Sequence, residues 1–268
     1  MIQLPPYNKK RNGVPVLSAE ELEQIGEALV NDFCPEVLSQ PQEVDIDAFA
    51  EIYMGLNQDI QYLSHNGIYL GMMVFNDTDR LPVYDPIAHE AKYVSESADT
   101  VVIDKTLLDD EKHIHRYRFT MAHEAAGHAV LHKSYYRRNY NPDQLSLFDS
   151  PDEPWVQCRK DMAEIPIRKT KTDIDWMEWQ ANTLGSIVLM PSASVKKLMA
   201  PYEAKLNKST EAQCTVLHNE MIEKVSEVFN VSRQAALIRL KKLGFVDKNV
   251  DDPGEVIRCL RILATRFF

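Results

Sequence analysis

The stretch "FTMAHEAAGHAVLH", residues 119–132, decides how this chain is interpreted, because it places two histidines and a glutamate in one apolar segment. The residues from His123 to His128 read HEAAGH. Zinc-binding helices of the HExxH type carry histidines at positions i and i+4, about 40° apart, with a glutamate between them as general base. Here the separation is i to i+5, which is about 140° on an ideal α-helix.

One extra residue therefore stands between the two histidines, and removing either alanine would restore an ordinary HExxH motif. A π-bulge absorbs such a residue by winding at about 4.4 residues per turn, which brings position i+5 nearly back over position i. The two alanines and the glycine in between are small enough to tolerate this distortion. A bulged helix would bring His123 and His128 together on one metal ion.

Two other interpretations stay open at this point. Glu124, His128 and His132 fall at i, i+4 and i+8 on one face of an undistorted helix and could bind a metal there, but Glu124 would then be a ligand and no base would remain. The segment could also be a metal-free helix whose histidines lie in the core or in solvent.

The composition is that of a globular protein with a formal net charge of −10, which argues against nonspecific nucleic-acid binding over the whole surface. No apolar run reaches the roughly 18 to 20 residues that span a bilayer. The start of the chain has early prolines and no apolar signal region, so a cytoplasmic protein is expected. Four widely spaced cysteines are expected to be reduced.

The pattern along the chain predicts an α+β protein in three segments. Residues 1–57 form an N-terminal helical segment, in which Ser18 and Glu21 predict a capping box. Residues 58–200 form the core, with short β-like runs that predict a small mixed or antiparallel sheet. Residues 201–268 form a C-terminal helical segment with a helix-turn-helix outline and a last amphipathic helix.

Within the core segment, a helix with an acidic start is predicted from Asp109 to His132, and this helix carries the histidine motif. Residues 134–172 show little periodicity and predict a long loop, of the kind that serves as a lid or an insertion. A second strong helix begins near Asp173 or Asp175 and ends before Pro191.

That second helix contains Glu178, which lies 50 residues after His128 and is the preferred third metal ligand. A catalytic zinc has three protein ligands and one open position for water. The neighbours Trp176, Met177 and Trp179 are too apolar for a simple solvated face, so Glu178 is not expected to be an ordinary surface glutamate.

Three ordered blocks, "RFTMAHEAAGHAVLH", "EWQANTLGSIVLMP" and "VSRQAALIRLKKLGFV", resemble the ImmA/IrrE-type metallopeptidases from about residue 20 to 246. The resemblance implies a zincin-like fold and a Zn²⁺ ion held by His123, His128 and Glu178. It also implies that Glu124 is the base and that Asn182 supports the ligands. The family usually has HExxH, and the longer spacing resembles the HExxxH motif of the dipeptidyl peptidase III family, "HELLGH" in type.

Carried over, the resemblance implies an endopeptidase that cleaves a helix-turn-helix transcriptional repressor in stress response or mobile-element regulation. An alternative is a metal-free module that binds the same repressor without cutting it. A third hypothesis has the C-terminal helix pair bind DNA, although packing of these helices against the core is preferred. The residues behind the DNA hypothesis form a basic cluster of Arg233, Arg239, Lys241 and Lys242.

Peptide hydrolysis would also need a hydrogen-bond donor for the oxyanion that forms from the attacked carbonyl. This donor is expected in the segment after the motif helix, where four candidates cluster: Tyr135, Tyr136, Arg137 and Tyr140. Nothing in the sequence chooses among them. His113 and His115 precede the motif by 8 to 10 residues and are expected on the surface of the first helical turns.

Overall fold

A computed structural model describes residues 4–139, 153–159, 172–206 and 209–247. The described chain mixes helices with small sheets, which confirms the predicted α+β class. The helix predicted near the C-terminal end falls in residues 248–268, outside the described residues. None of the helices in the described ranges is long and apolar enough to cross a membrane.

The strands form a ribbon, a central sheet and a hairpin. The ribbon pairs β1 (Asn8–Lys9) with β2 (Pro15–Val16), and the hairpin pairs β5 (Thr78–Asp85) with β6 (Glu90–Glu96). The sheet contains β3 (Asn57–Gln61), β4 (Tyr69–Val74), β7 (Thr100–Asp104) and β8 (Trp155–Arg159). Its order is β3-β7-β4-β8, with β3 and β7 parallel and the other pairs antiparallel. The sheet is therefore mixed, as predicted.

The helices of the described ranges follow in chain order as α1 (Ala19–Phe33), α2 (Glu36–Ser39), α3 (Ile46–Ala48), α4 (Ile114–Ala122), α5 (Ala129–Leu131), α6 (Lys133–Asn139), α7 (Asp173–Leu189), α8 (Ser192–Leu206), α9 (Glu211–Phe229) and α10 (Arg233–Lys242). Two π-helical turns interrupt this set. One follows α3 at Phe49–Tyr53, and the other joins α4 to α5 at His123–His128. We call the second one the π-turn.

Local capping chemistry explains several helix ends. Glu21 N–H donates to Ser18 Oγ at 3.2 Å, and Ser18 N–H donates to Glu21 Oε2 at 2.7 Å, so the predicted capping box is present. The α9 helix ends at Phe229 and is followed by the C-cap residue Asn230, whose φ of 51° is left-handed, and Ser232 caps α10. The predicted helix-turn-helix outline is thus found in the fold.

Two predicted boundaries were wrong. The motif helix does not begin at Asp109: a 3₁₀ turn at Glu111–His113 comes first, and the α-helix starts at Ile114. The predicted loop at 134–172 contains α6 and β8, while residues 140–152 and 160–171 lie outside the described residues. The hydrogen-bonding partner of β8 is the distant strand β4, a nonlocal contact that local periodicity does not report.

The α7 helix lies at the centre of the molecule and packs against both α1 and the π-turn. A glycine on α1 permits the first contact, because a β-carbon at Gly26 would lie 2.4 Å from Ile187 Cγ2. Apolar residues of the sheet, α1, α7 and α9 join in one buried core. This packing fixes the position of α7, and with it the position of Glu178, relative to the motif helix.

Candidate metal centre

The π-turn is the feature that brings the two histidines together. The amide of Ala129 donates to the carbonyl of Glu124, an i to i−5 bond that marks π-helical winding. All six residues from His123 to His128 are buried. The widened helix thus has the form that the extra residue in the motif predicts, with both imidazoles on one side of it.

The three predicted ligands converge. Nε2 of His123 lies 3.0 Å from Nε2 of His128, and the carboxylate of Glu178 lies 3.4 Å and 3.2 Å from these two atoms. Tetrahedral zinc with bonds of about 2.0–2.1 Å separates its ligand atoms by about 3.3 Å. The three side chains therefore form a set that could hold a metal ion.

Two glycines allow α7 to approach the π-turn closely enough for this. A β-carbon at Gly127 would lie 2.6 Å from Ala181 Cα, and one at Gly185 would lie 3.0 Å from the amide nitrogen of His123. Backbone therefore meets backbone at both points. Glu178, one helical turn before Ala181, is held over the histidine pair as a result.

A hydrogen bond fixes the ring orientation of the first histidine. Nδ1 of His123 lies 2.9 Å from Oδ1 of Asn182, so the ring donates Nδ1–H to this oxygen and presents Nε2 to Glu178 and His128. Asn182 stands one turn after Glu178 on α7. It occupies the supporting position that the resemblance implies for it.

A longer chain of bonds supports the second histidine. Nδ1 of His128 lies 2.9 Å from Nδ1 of His132, whose Nε2 lies 3.0 Å from Oε1 of Gln180. Gln180 in turn donates from Nε2 to the carbonyl of Pro15, in the ribbon. Because Nε2 of His128 faces the site, its Nδ1–H donates to Nδ1 of His132. Nε2–H of His132 then donates to Gln180, and Gln180 donates to Pro15. Burial lowers the pKa of His132 to about 3, which keeps it neutral as the acceptor.

Glu124 lies beside this set and is fully buried. Neither of its carboxylate oxygens has a hydrogen-bond partner among the residues that the structure describes. Burial raises the pKa of Glu124 to about 8, an effect that the Glu178 carboxylate increases and His123 opposes. Burial would also raise the pKa of Glu178, but the two histidines hold it below its usual range. The two carboxylates thus differ in environment although they are neighbours.

The remaining predicted residues are elsewhere or in other roles. The alternative metal site of Glu124, His128 and His132 is not formed, because His132 faces Nδ1 of His128 and Gln180.

Tyr136 stacks on Phe75 at 4.5 Å, and Arg137 donates to the carbonyl of Phe75 and to Asp99, so both anchor α6 to the sheet. The oxyanion donor stays a prediction, and one of its four candidates, Tyr140, lies outside the described residues. At the start of the motif helix, His113 contacts the carbonyl of Thr106 at 3.1 Å.

Sequence reasoning missed two residues next to the site. Gln180 stands two positions after Glu178, and that proximity was the available signal for it. Cys158 on β8 is buried, and its thiol lies within 4.8 Å of ligand atoms of His123 and Glu124. It falls inside the segment predicted as a loop, where no periodic pattern pointed to it.

Comparison with known proteins gives no family for the chain: no family model matches it, and no curated protein matches it either. The geometry of the site is therefore the basis for a functional assignment. Two imidazole nitrogens and one carboxylate converge, and a further buried carboxylate stands beside them without a hydrogen-bond partner in the described ranges. Three protein ligands with a free base nearby are typical of a catalytic metal site rather than a structural one.

Proposed function

We propose that this protein is a zinc-dependent endopeptidase with a zincin-like core, as its resemblance to the ImmA/IrrE-type metallopeptidases implies. The observation that carries this proposal is the convergence of His123, His128 and Glu178 on one point beside the buried Glu124. Residues 58–200 would then be the peptidase core, with the helical segments 1–57 and 201–268 attached to it.

The residues present suit the chemistry of peptide hydrolysis. Zn²⁺ held by the three ligands would act as a Lewis acid that polarises a peptide carbonyl and lowers the pKa of water. Glu124 accepts the proton of the attacking water and returns it to the leaving amine.

The supporting side chains have the role of holding the ligands in one orientation. Asn182 accepts the Nδ1 proton of His123, and His132 accepts that of His128. Each bond leaves the Nε2 lone pair of the ligand directed at the site. Such outer bonds to metal ligands typically contribute about 10- to 100-fold in metal affinity or activity.

The substrate we propose is a helix-turn-helix transcriptional repressor, as the resemblance implies, rather than a nucleic acid. Two of the four residues of the basic cluster that could favour DNA are used within the fold: Arg239 is buried against Glu23 and Met190, and Arg233 pairs with Glu223 at 3.1 Å. These contacts support the hypothesis that the α10 helix packs against the core, which is preferred to DNA binding.

The first experiment is the metal content of the purified protein, measured by elemental mass spectrometry. We expect about one zinc ion per chain in the wild type and in Glu124→Gln, and loss of the ion in His123→Ala and Glu178→Ala. His113→Ala is the matched control, because this histidine lies at the start of the same helix and its imidazole faces the Thr106 carbonyl instead of the metal ligands. It should retain the zinc.

The second experiment mixes the zinc-loaded protein with a helix-turn-helix repressor encoded beside it. The wild type should cleave the repressor, and Glu124→Gln should slow cleavage by about 10²- to 10⁴-fold while binding it normally. A zinc-loaded wild type that binds the repressor and leaves it intact would contradict the proposal. A protein that takes up no zinc on reconstitution would favour the metal-free binding module instead.

A further inference from the structure

Cys158 is a buried thiol whose position next to the site follows from strand pairing. It lies on β8 directly opposite Gly71 of β4, and paired residues of an antiparallel ladder point to the same face of the sheet. That face meets the motif helix: a β-carbon at Gly71 would lie 3.1 Å from Oε1 of Glu124 and 2.6 Å from Cγ2 of Thr120. Because Gly71 has no side chain, the space is left to Cys158 and Glu124.

Together with His123, these two residues form a second set of metal-binding groups. One ligand atom from each of the three lies within 4.8 Å of the others, and all three residues are buried. Within the described ranges, both oxygens of Glu124 lack a hydrogen-bond donor. Imidazole, thiolate and carboxylate are all zinc ligands, and the thiolate adds a preference for softer ions.

The two sets share His123, and this makes them alternatives. Nδ1 of His123 faces Asn182 at 2.9 Å, so Nε2 is the atom that a metal ion can reach in either set. One nitrogen lone pair binds one ion. An ion held with Cys158 and Glu124 therefore excludes an ion held with His128 and Glu178.

We propose that His123, Glu124 and Cys158 form a second metal position that competes with the first and inactivates the protein. The inference rests on the proposed function, because inactivation has meaning only for a metal-dependent peptidase. In the second position Glu124 is a ligand and cannot accept a proton from water. The thiol proton passes to solvent on binding and the ion stays divalent, so the step needs no oxidant or reductant.

The chemistry of the two sets predicts which ion prefers which. The first set offers nitrogen and oxygen atoms, whereas the second includes sulfur. A soft divalent ion such as Cd²⁺ should therefore favour the second position, while Zn²⁺ binds the first. Inhibition by soft cations would follow.

The test titrates metal-free protein with Cd²⁺ and follows the ultraviolet charge-transfer absorption that a thiolate–cadmium bond produces. In the wild type this band should saturate at about one equivalent. Cys158→Ser should remove the band and weaken Cd²⁺ binding at least about tenfold, while Zn²⁺ affinity changes by less than about threefold. Cys34→Ser is the matched control, since Cys34 is also buried but lies after α1, and it should keep the band.

The outcomes separate this inference from the proposed function. A wild type that binds one Cd²⁺ without the thiolate band overturns the second position and leaves the peptidase proposal standing. Binding of neither Cd²⁺ nor Zn²⁺ overturns both. Should Cys158→Ser fail to fold, Glu124→Gln provides the second variant: it should weaken Cd²⁺ binding about tenfold and retain zinc, and unchanged Cd²⁺ affinity would contradict the inference.

Discussion

Two buried polar regions of this protein differ in how their charges are satisfied. At the interface of α10 and α1, Arg239 donates to both carboxylate oxygens of Glu23 and to the carbonyl of Met190. At the histidine pair, both oxygens of Glu124 and Oε2 of Glu178 have no hydrogen-bond partner in the described part of the chain. A fold keeps such unpaired buried atoms at a cost of about 1–3 kcal/mol each.

The difference separates structural polar groups from groups that await a ligand. Arg239 is 1% exposed and each of its three guanidinium nitrogens donates to an acceptor of the chain, so none of these nitrogens needs a partner from outside. The histidine region has converging lone pairs and carboxylates without donors, an arrangement that a cation would satisfy. Substitutions in each region test whether it behaves in this way, and a charge pair outside both regions provides a third case.

The largest effect on stability is expected from Arg239→Met. The substitution leaves the Met190 carbonyl and the partly buried Glu23 carboxylate without their donor, which costs about 1–3 kcal/mol for each acceptor. Urea unfolding of the zinc-loaded protein measures the change in free energy of unfolding. The metal content of the folded fraction should stay at the wild-type level, because the histidine region is not touched.

Arg233→Met is the matched control for that experiment. Arg233 lies on the same helix and pairs with Glu223, but its side chain is 33% exposed, so its loss should cost less than about 1 kcal/mol. Equal losses for the two arginines would mean that the buried Arg239 cluster is no more structural than a surface pair. The contrast drawn between the two regions would then be wrong.

Gly127→Ala should have the next largest effect, because it forces a β-carbon to within 2.6 Å of Ala181 Cα. Overpacking of this kind costs about 1–3 kcal/mol, and it pushes α7, which carries Glu178, away from the π-turn. We therefore expect lower stability together with weaker zinc binding, measured by unfolding and by competition with a chelator.

Adding Ala181→Gly removes one of the atoms that the new β-carbon meets, at 2.7 Å, and should restore part of both losses. A Gly127→Ala protein that keeps wild-type zinc affinity would show that the close approach of α7 does not position Glu178.

A third prediction concerns Gln180→Leu, which interrupts the chain of bonds from His128 to the ribbon. His132 then loses the acceptor of its Nε2 proton, and its tautomer is no longer fixed as acceptor for His128. Zinc affinity should fall by about 10- to 100-fold. The nitrogen NMR shifts of the His132 ring should also change, a signature that a general loss of packing does not produce.

Thr183→Ala on the same helix is the control for Gln180→Leu. Thr183 is buried too, and its hydroxyl has no hydrogen-bond partner within the described ranges, so its removal should leave zinc affinity unchanged. If Gln180→Leu behaves like this control, the chain of bonds contributes packing and not ligand orientation.

Much of this arrangement could be predicted from local sequence. The capping box of Ser18 and Glu21 depends on residues three apart, and the π-turn depends on one extra residue between His123 and His128. Both are local effects, which a single sequence records directly. Glu178 was also accessible, because an acidic residue among tryptophans on a strong helix is unusual for a solvated face.

The parts that were missed depend on contacts between distant segments. Cys158 reaches the site because β8 pairs with β4 in the register that sets it opposite Gly71. No property of the segment around Cys158 encodes that register. In the same way, the anchoring of Arg239 by Glu23 joins residues 216 positions apart, so the sequence alone showed a basic cluster and not its partner.

The smallest effect tests whether a charge pair outside both regions follows the same physics. On the hairpin, burial and the neighbouring Asp59 raise the pKa of Glu96 to about 7. The folded state therefore binds this proton more tightly than the unfolded chain, so its contribution to stability is full below about pH 4.5 and is lost as the pH rises through 7. Glu96→Gln should remove this decline in stability, a change below about 1 kcal/mol because solvent screens a partly exposed pair.

Thermal unfolding between pH 5 and 8 measures the decline, with Glu90→Gln, at an exposed position of the same strand, as control. If the stability of the wild type rises over this pH range while that of Glu96→Gln stays constant, the pKa of Glu96 is lowered by folding instead of raised. Asp59 would then not face Glu96 in solution.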